Sequence, residues 1–302
     1  MTVTSMENEK NDVCTLCPRH CNTDRKAGGI GFCGAADMPF VAKYDLHFFE
    51  EPCISGSAGS GAVFFCGCNL SCIFCQNRDI NHKNVGIKAD VHKLADIMLE
   101  LQEKGAHNIN LVTPTPHSDV IIKAVQKAKT LGLNVPIVYN TNGYECTEII
   151  KALEGIVDIY LPDFKYGEHI IAGRYSAAPD YFSVASRAVK EMYTQCGELQ
   201  TDENGIAQKG VVIRHLVLPA ALDNTRSVLD HIADNYPKTI HISLMSQYVP
   251  YVDTEFADLN RKLTKREYER AVDYCNMKGF ENVYIQKLSS AKQSYTPDFA
   301  KE

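Results

Sequence analysis

Residues 90–140 read DVHKLADIMLELQEKGAHNINLVTPTPHSDVIIKAVQKAKTLGLNVPIVYN, and the periodicity of this stretch decides the fold. Val91, Leu94, Ala95, Met98 and Leu101 recur at spacings of three and four, which sets them on one face of a helix over 90–104. Gly105 stands where a helix C′ residue would, and the β-rich run 108–113 follows. The cycle then repeats. A helix over 118–131, capped by Ser118, puts Val120, Ile121, Ala124, Val125 and Ala128 on its apolar face, ends at Gly132 and leads into a strand at 135–140. Working outward, strands are expected at 61–66, 156–161, 211–218 and 239–245, with a seventh candidate at 282–286. Helices are expected at 145–153, 180–196, 225–235 and 265–278. Regular alternation of this kind builds a parallel sheet from βαβ units. The expected fold is α/β, a partial (β/α)6 TIM-like barrel spanning 61–302, preceded by a Cys-rich N-terminal metal-binding extension over 1–60. An open doubly wound sheet is the alternative, and periodicity does not separate the two.

The chain has 302 residues, 45% hydrophobic and 23% charged, so it carries enough apolar material for a core and is not a disordered chain. No apolar run approaches the ~20 residues needed to span a bilayer, so no transmembrane helix is expected. The segment MTVTSMENEKND is polar and lacks the apolar core of a secretory signal, so a cytoplasmic protein with no membrane partner is expected. A net charge of −6 lends no support to generic nucleic-acid binding.

Twelve cysteines are present, nine of them before residue 76. In a cytosolic chain such clustering points to metal ligation or catalysis instead of disulfides. Cys68, Cys72 and Cys75 form C-x3-C-x2-C directly after the strand GAVFFC, and the loop beyond a parallel strand's C-terminal end is where active sites are built. Three thiolates there can hold three irons of a 4Fe–4S cube, which normally takes four cysteines, and one iron stays open. A structural zinc site with a fourth ligand elsewhere, such as Cys66, is the plainer alternative, although zinc sites favour paired C-x2-C spacing. Cys14, Cys17, Cys21 and Cys33 supply four further thiols, enough for a tetrahedral zinc or an auxiliary iron–sulfur cluster, and His20 could replace one of them. Cys53, Cys66, Cys146, Cys196 and Cys275 read as small buried residues.

C-x3-C-x-aromatic-C, with Phe74 at the aromatic position, resembles the motif of the radical S-adenosylmethionine (SAM) superfamily. The wider text GCNLSCIFCQN, VTPTPH, YNTNGYE, DIYLPDFKY, IRHLVLP and SLMSQYVP, spread over nearly the whole chain, resembles the branch related to the pyruvate formate-lyase activating enzyme. The resemblance implies oxidoreductase chemistry on two cofactors, a 4Fe–4S cluster at Cys68, Cys72 and Cys75 and SAM chelated to the open iron. An electron from the reduced cluster breaks a C–S bond of SAM, and the resulting 5′-deoxyadenosyl radical takes a hydrogen atom from the substrate. It further implies a flavodoxin or ferredoxin as electron donor. The first substrate expectation is a glycine Cα in a glycyl radical protein, and the alternative is a peptide side chain or a small metabolite. An iron–sulfur or zinc-ribbon binding protein without catalysis is the competing class.

The same resemblance suggests SAM contacts at successive strand ends. Thr113-Pro114-Thr115-Pro116 stands where superfamily members often carry Gly-Gly-Glu, so Thr113 and Thr115 are offered to the SAM amine. Asn140 and Asn142, in a turn similar to Thr-Asn-Gly, are offered to ribose or carboxylate. Asp163 and Lys165 resemble an Asp-Leu-Lys run and are offered to the ribose and the SAM carboxylate. Arg214 and His215 lie inside a strand, where charge is costly unless it faces the lumen, so at least one of them is expected in the site. Gln247 and Tyr248 are expected at the substrate opening, and 174–176 in a long loop on the same face. A wide opening beside Asp163 and Arg214, with few charges deep inside, is expected for a macromolecular substrate.

Overall fold

The computed structural model describes residues 13–291 and Phe299. Ten strands occur among them: β1 (Phe40–His47), β2 (Ser60–Phe65), β3 (Ile87–Lys88), β4 (Ile109–Val112), β5 (Ile137–Thr141), β6 (Ile159–Pro162), β7 (Gln200–Thr201), β8 (Ala207–Leu216), β9 (His241–Met245) and β10 (Asn282–Ile285). The α-helices are α1 (Pro52–Ser55), α2 (Arg78–Asn81), α3 (Val91–Glu103), α4 (Ser118–Thr130), α5 (Thr147–Ala152), α6 (His169–Ser176), α7 (Tyr181–Cys196), α8 (Leu222–Asn235) and α9 (Lys265–Met277). Asp90 caps α3, its side chain accepting from the Lys93 amide at 2.8 Å, and Leu94, Ala95, Ile97, Met98 and Leu101 are buried as the periodicity requires. Ser118 is the first residue of α4 and not its cap; its hydroxyl donates to the Thr115 carbonyl at 3.1 Å.

The sheet runs β10-β9-β8-β6-β5-β4-β2-β1-β3, with β7 on β8. β2, β4, β5, β6, β8, β9 and β10 are parallel and stand in chain order, while β1 pairs antiparallel with β2 and β3 with β1. A doubly wound sheet reverses its order at a switch point, and this one never does, so that alternative falls. The seventh parallel strand is present as β10. One cavity touches Phe64 of β2, Val112 of β4, Asn140 of β5, Arg214 of β8 and Met245 of β9. At roughly 4.8 Å per strand a flat sheet could not bring its second and ninth strands to one small cavity, so the sheet curls around it.

The lumen is layered. Near the strands' N-terminal ends Val138, Ile159, Leu161 and Val212 close against Cys53 and Ile54 of α1. The β1–β2 connection therefore plugs the lumen from below, and it carries Glu50 and Glu51 into the next layer up. The expected loop at 174–176 is instead the end of α6; Gly173 inside that helix hid it from the periodicity. Among the described residues no helix is long and apolar enough to cross a membrane.

Candidate active site

The loop after β2 is shaped by contacts from far away in sequence. Gly67 has φ 89°, and a Cβ there would lie 3.1 Å from both the Cys33 carbonyl oxygen and the Ala35 Cβ, so glycine is required. The Cys68 amide donates to the Cys33 carbonyl at 3.0 Å, which ties this loop to the N-terminal cysteine segment. Arg19 adds a second tie. Its Nε donates to the Asn69 carbonyl at 2.8 Å, its Nη1 to the Ala177 carbonyl at 2.5 Å, and its guanidinium stacks 4.0 Å from the Phe32 ring centroid. Arg25, 7% exposed, donates to the Pro116 carbonyl at 2.6 Å and so fixes the same segment to the turn after β4.

Cys68, Cys72 and Cys75 line one cavity of about 190 Å³. Hydrogen-bond donors point at their sulfurs: Leu70 N and Asn142 Nδ2 at Cys68 Sγ, 3.4 and 3.3 Å, and Ser176 Oγ at Cys72 Sγ, 2.9 Å. Burial pushes the Cys68 and Cys75 thiols up to about 12 and raises Cys72 as well, so the free thiols stay protonated. Donors aimed at the Cys68 and Cys72 sulfurs suit thiolates, the form that ligates metal, and three cysteines in one cavity fit a 4Fe–4S cluster. Among the described residues no three His, Cys, Asp or Glu side chains close on one point where a single metal ion would sit. A cube distributes its thiolates over separate irons. In the N-terminal set Cys17 and Cys33 are buried, Cys14 is half-buried and Cys21 exposed. Burial, with Cys33 and Cys14 adding to it, pushes Cys17 up to about 12.

The same cavity is lined by Thr113, Asn140, Asn142, Asp163, Lys165 and Arg214, and by Gln247 and Tyr248. Thr113 has φ 59°, a left-handed backbone that costs a β-branched residue about 1–3 kcal/mol. Its amide donates to the Asn140 carbonyl at 3.0 Å. Asn142 spends its amide on Cys68 Sγ and, at 2.7 Å, on Asn69 Oδ1, so it orients a cysteine ligand and is not a free donor for SAM.

Two expected residues are not in the cavity. Thr115 is fully buried and donates to Glu145 Oε1 at 2.6 Å. His215 faces the helices, with Nδ1 on the Phe164 carbonyl at 2.7 Å and Nε2 on Thr225 Oγ1 at 2.9 Å; burial pushes it down to about 4, so it is neutral. Successive residues of a strand point to opposite faces, so only one of Arg214 and His215 could enter the lumen, and it is Arg214.

The deep lumen is highly charged, contrary to the expectation of few charges. Arg214 Nε donates to Asp163 Oδ1 at 2.9 Å, its Nη1 to Glu50 Oε2 at 3.1 Å and its Nη2 to Asn140 Oδ1 at 2.5 Å. Lys165 Nζ meets Asp163 Oδ2 at 2.5 Å. Burial alone would raise Asp163, but Arg214 and Lys165 outweigh it and hold the carboxyl below its ordinary range. Glu50 and Glu51 belong to no motif and escape the sequence reading.

Glu145 gives a pH signature. It is buried, Thr115 donates to Oε1, Thr141 also donates to Oε1, and Oε2 has no partner among the described residues. Burial raises it from 4.5 to about 7, the two hydroxyls offsetting part of the cost. A carboxyl raised in the folded state supports folding fully below its unfolded value and loses that support as pH climbs through the folded value. Stability is therefore expected to fall by roughly 3 kcal/mol between pH 4.5 and 7 on this account. Glu145→Gln should flatten that slope in denaturant titrations and be the more stable protein at pH 8; an unchanged slope would remove Glu145 as its source.

Residues 62–175 match the family described as the radical SAM superfamily. An uncharacterized protein of Methanocaldococcus jannaschii is 32% identical over 282 residues, covering 90% of this chain and 76% of that one. The chain belongs to the radical SAM superfamily, a family of enzymes that implies a 4Fe–4S cluster and SAM. It is also similar to the solved structure of a domain of pyruvate-formate lyase-activating enzyme from Bacteroides vulgatus, at 11% identity over 57% of this chain and 92% of that one, TM-score 0.40. Streptococcus suis SuiB bound to S-adenosylmethionine is similar at 14% identity over 75% of this chain and 47% of that one, TM-score 0.46. The third is histidine-tagged anSMEcpe with bound AdoMet, at 15% identity over 72% of this chain and 60% of that one, TM-score 0.45.

Proposed function

We propose that this chain is a radical SAM enzyme that removes a hydrogen atom from a polar substrate, a peptide side chain or a small metabolite, inside the partial barrel. The observation that carries this reading is one cavity holding both the three sulfur-directed thiols and a fixed charged set deep in the lumen. Cys68, Cys72 and Cys75 would hold the cluster, with Asn142 and Ser176 donating to sulfur. The cluster and SAM together supply a 5′-deoxyadenosyl radical when bound. Asn140, Asp163, Lys165 and Arg214 are the residues offered to SAM and substrate, and they are preorganised because each already holds another. Phe74 and Tyr248 pack edge to face on the cavity wall, with ring centroids 5.8 Å apart. A low-potential flavodoxin or ferredoxin is the proposed electron donor. Cys14, Cys17, Cys21 and Cys33 are proposed as a second metal centre; no three of them close on one point as a zinc ion would need, so an iron–sulfur cluster, which spreads its thiolates over separate irons, is the form proposed.

Activation of a glycyl radical protein rests on motif likeness alone. A glycine backbone offers no charge to this lumen, so buried Glu51 and half-buried Glu50, Asp163 and Arg214 favour the polar-substrate reading. Anaerobic incubation with SAM, a reductant and deuterated candidates tests the choice. Deuterium is expected in 5′-deoxyadenosine from a polar side chain or metabolite; transfer solely from a glycyl radical protein's glycine would overturn it.

A further inference from the structure

A second chamber of about 190 Å³ adjoins the cysteine-lined cavity and shares Glu50, Arg214 and Gln247 with it. Glu51, Ser243 and Tyr284 line this chamber, and the cysteines do not. Glu51 is 8% exposed, and its Oε2 is buried without a hydrogen-bond partner among the described residues. The other lumen charges are matched. Glu50 Oε1 accepts from Asn110 Nδ2 at 3.1 Å and Asn140 Nδ2 at 3.2 Å, and its Oε2 accepts from Arg214. Asp163 is held by Arg214 and Lys165. Arg214 spends one N–H of each guanidinium nitrogen, on Asp163, Glu50 and Asn140. Two cations thus stand beside three carboxyl groups among the described residues, and neither hydrogen-bonds Glu51 Oε2; burial raises the Glu51 carboxyl, with the Arg214 charge and the Ser243 hydroxyl pulling the other way. Asn110 Oδ1, in the layer next to Glu50, is a second buried acceptor with no donor among them. What Glu51 Oε2 lacks is a hydrogen-bond donor, and a buried polar atom without one is costly.

We infer that this chamber takes an alkylammonium or guanidinium group of the substrate, which donates to Glu51 Oε2 while the rest of the molecule extends past Gln247 into the cysteine-lined cavity. The aromatic side chains of Phe49 and Tyr284 on the chamber wall suit a cation and its methylene stem. The inference rests on the radical SAM reading only for what happens at the far end of the substrate; the binding of the cation stands on the chamber itself.

The test is direct binding to the cluster-containing protein. Calorimetry with N-acetyl-lysine methylamide and N-acetyl-arginine methylamide is compared with the neutral N-acetyl-norleucine methylamide, with and without SAM. At least one cationic probe should bind on the order of tenfold more tightly than the norleucine probe, and Glu51→Gln should erase that preference. If Glu51→Gln does not fold, Gln247→Lys, which brings a cation to the shared mouth, should weaken the cationic probes and spare the neutral one. Equal binding of all three probes, no binding of either cationic probe, or a preference that survives Glu51→Gln overturns the inference. Displacement of the cationic probe by SAM also overturns it, by giving Glu51 to SAM. A SAM cleavage assay on the same sample separates the two failures: cleavage without a cation preference sinks the chamber alone, and a cation preference without cleavage sinks the radical reading alone.

Discussion

Alanine at Cys68, Cys72 or Cys75 is expected to abolish reductive SAM cleavage and to lower iron and sulfide content. The three thiols are the protein's whole contribution to the proposed cluster, and each lines the same cavity. Losing one leaves two anchors for a cube that normally has four. The donors that now stabilise sulfur, Asn142 and Ser176, would face an apolar methyl group instead. Cleavage at the normal rate in any single variant would take that cysteine out of the ligand set. The variant lacking all three also reports on the N-terminal thiols. Iron with sulfide left behind belongs to Cys14, Cys17, Cys21 and Cys33, zinc alone marks that site as structural, and neither metal means the four thiols hold none.

Arg214→Met should cost about 3–5 kcal/mol of folding stability in denaturant titrations at pH 7, among the largest effects of any single side chain here. The guanidinium is 11% exposed and bridges Glu50 and Asp163 while reaching Asn140 across β5 and β8. Removing it leaves buried carboxylates facing one another with only Lys165 among them. Glu50→Met in the Arg214→Met background should recover part of the loss, because an apolar pair of similar volume leaves less charge unpaired. A loss under about 1 kcal/mol would mean that water reaches and screens the network, as it does for surface pairs.

Much of the fold was legible because the helices between the strands carry their apolar residues at regular spacing and most of them end at glycine. That pattern located the parallel strands and α3, α4, α7, α8 and α9 within a few residues. β1 was missed, since its burial is mixed along FVAKYDLH and it lies among the cysteines, where periodicity is weak. In the cavity, the cysteines, Asn140, Asp163 and Lys165 were legible from strand ends together with the family resemblance, and Arg214 as a charge inside a strand. Strand alternation sends Arg214 and His215 to opposite faces, so the sequence itself keeps one of the two out of the lumen. Glu50 and Glu51 could not be read, because they reach the lumen through a connection whose path depends on tertiary packing. The one local hint was a pair of acids followed by Pro52-Cys53-Ile54, a polar pair running into a buried turn.

The ties around the cysteine loop bear on the order of assembly. Asn142 and Ser176, which donate to the Cys68 and Cys72 sulfurs, lie 74 and 104 positions along the chain, and Arg19 spans 158 positions to reach Ala177. Contacts of such separation form late, after the loops between them have closed. On the ribosome the three thiols emerge long before the residues that shield them. During that interval they are open to oxidation and to stray metals. A cluster on these thiols would gain its shielding contacts only after the sixth strand and its following helix have been made, and a chain truncated before Ala177 would present the motif without them.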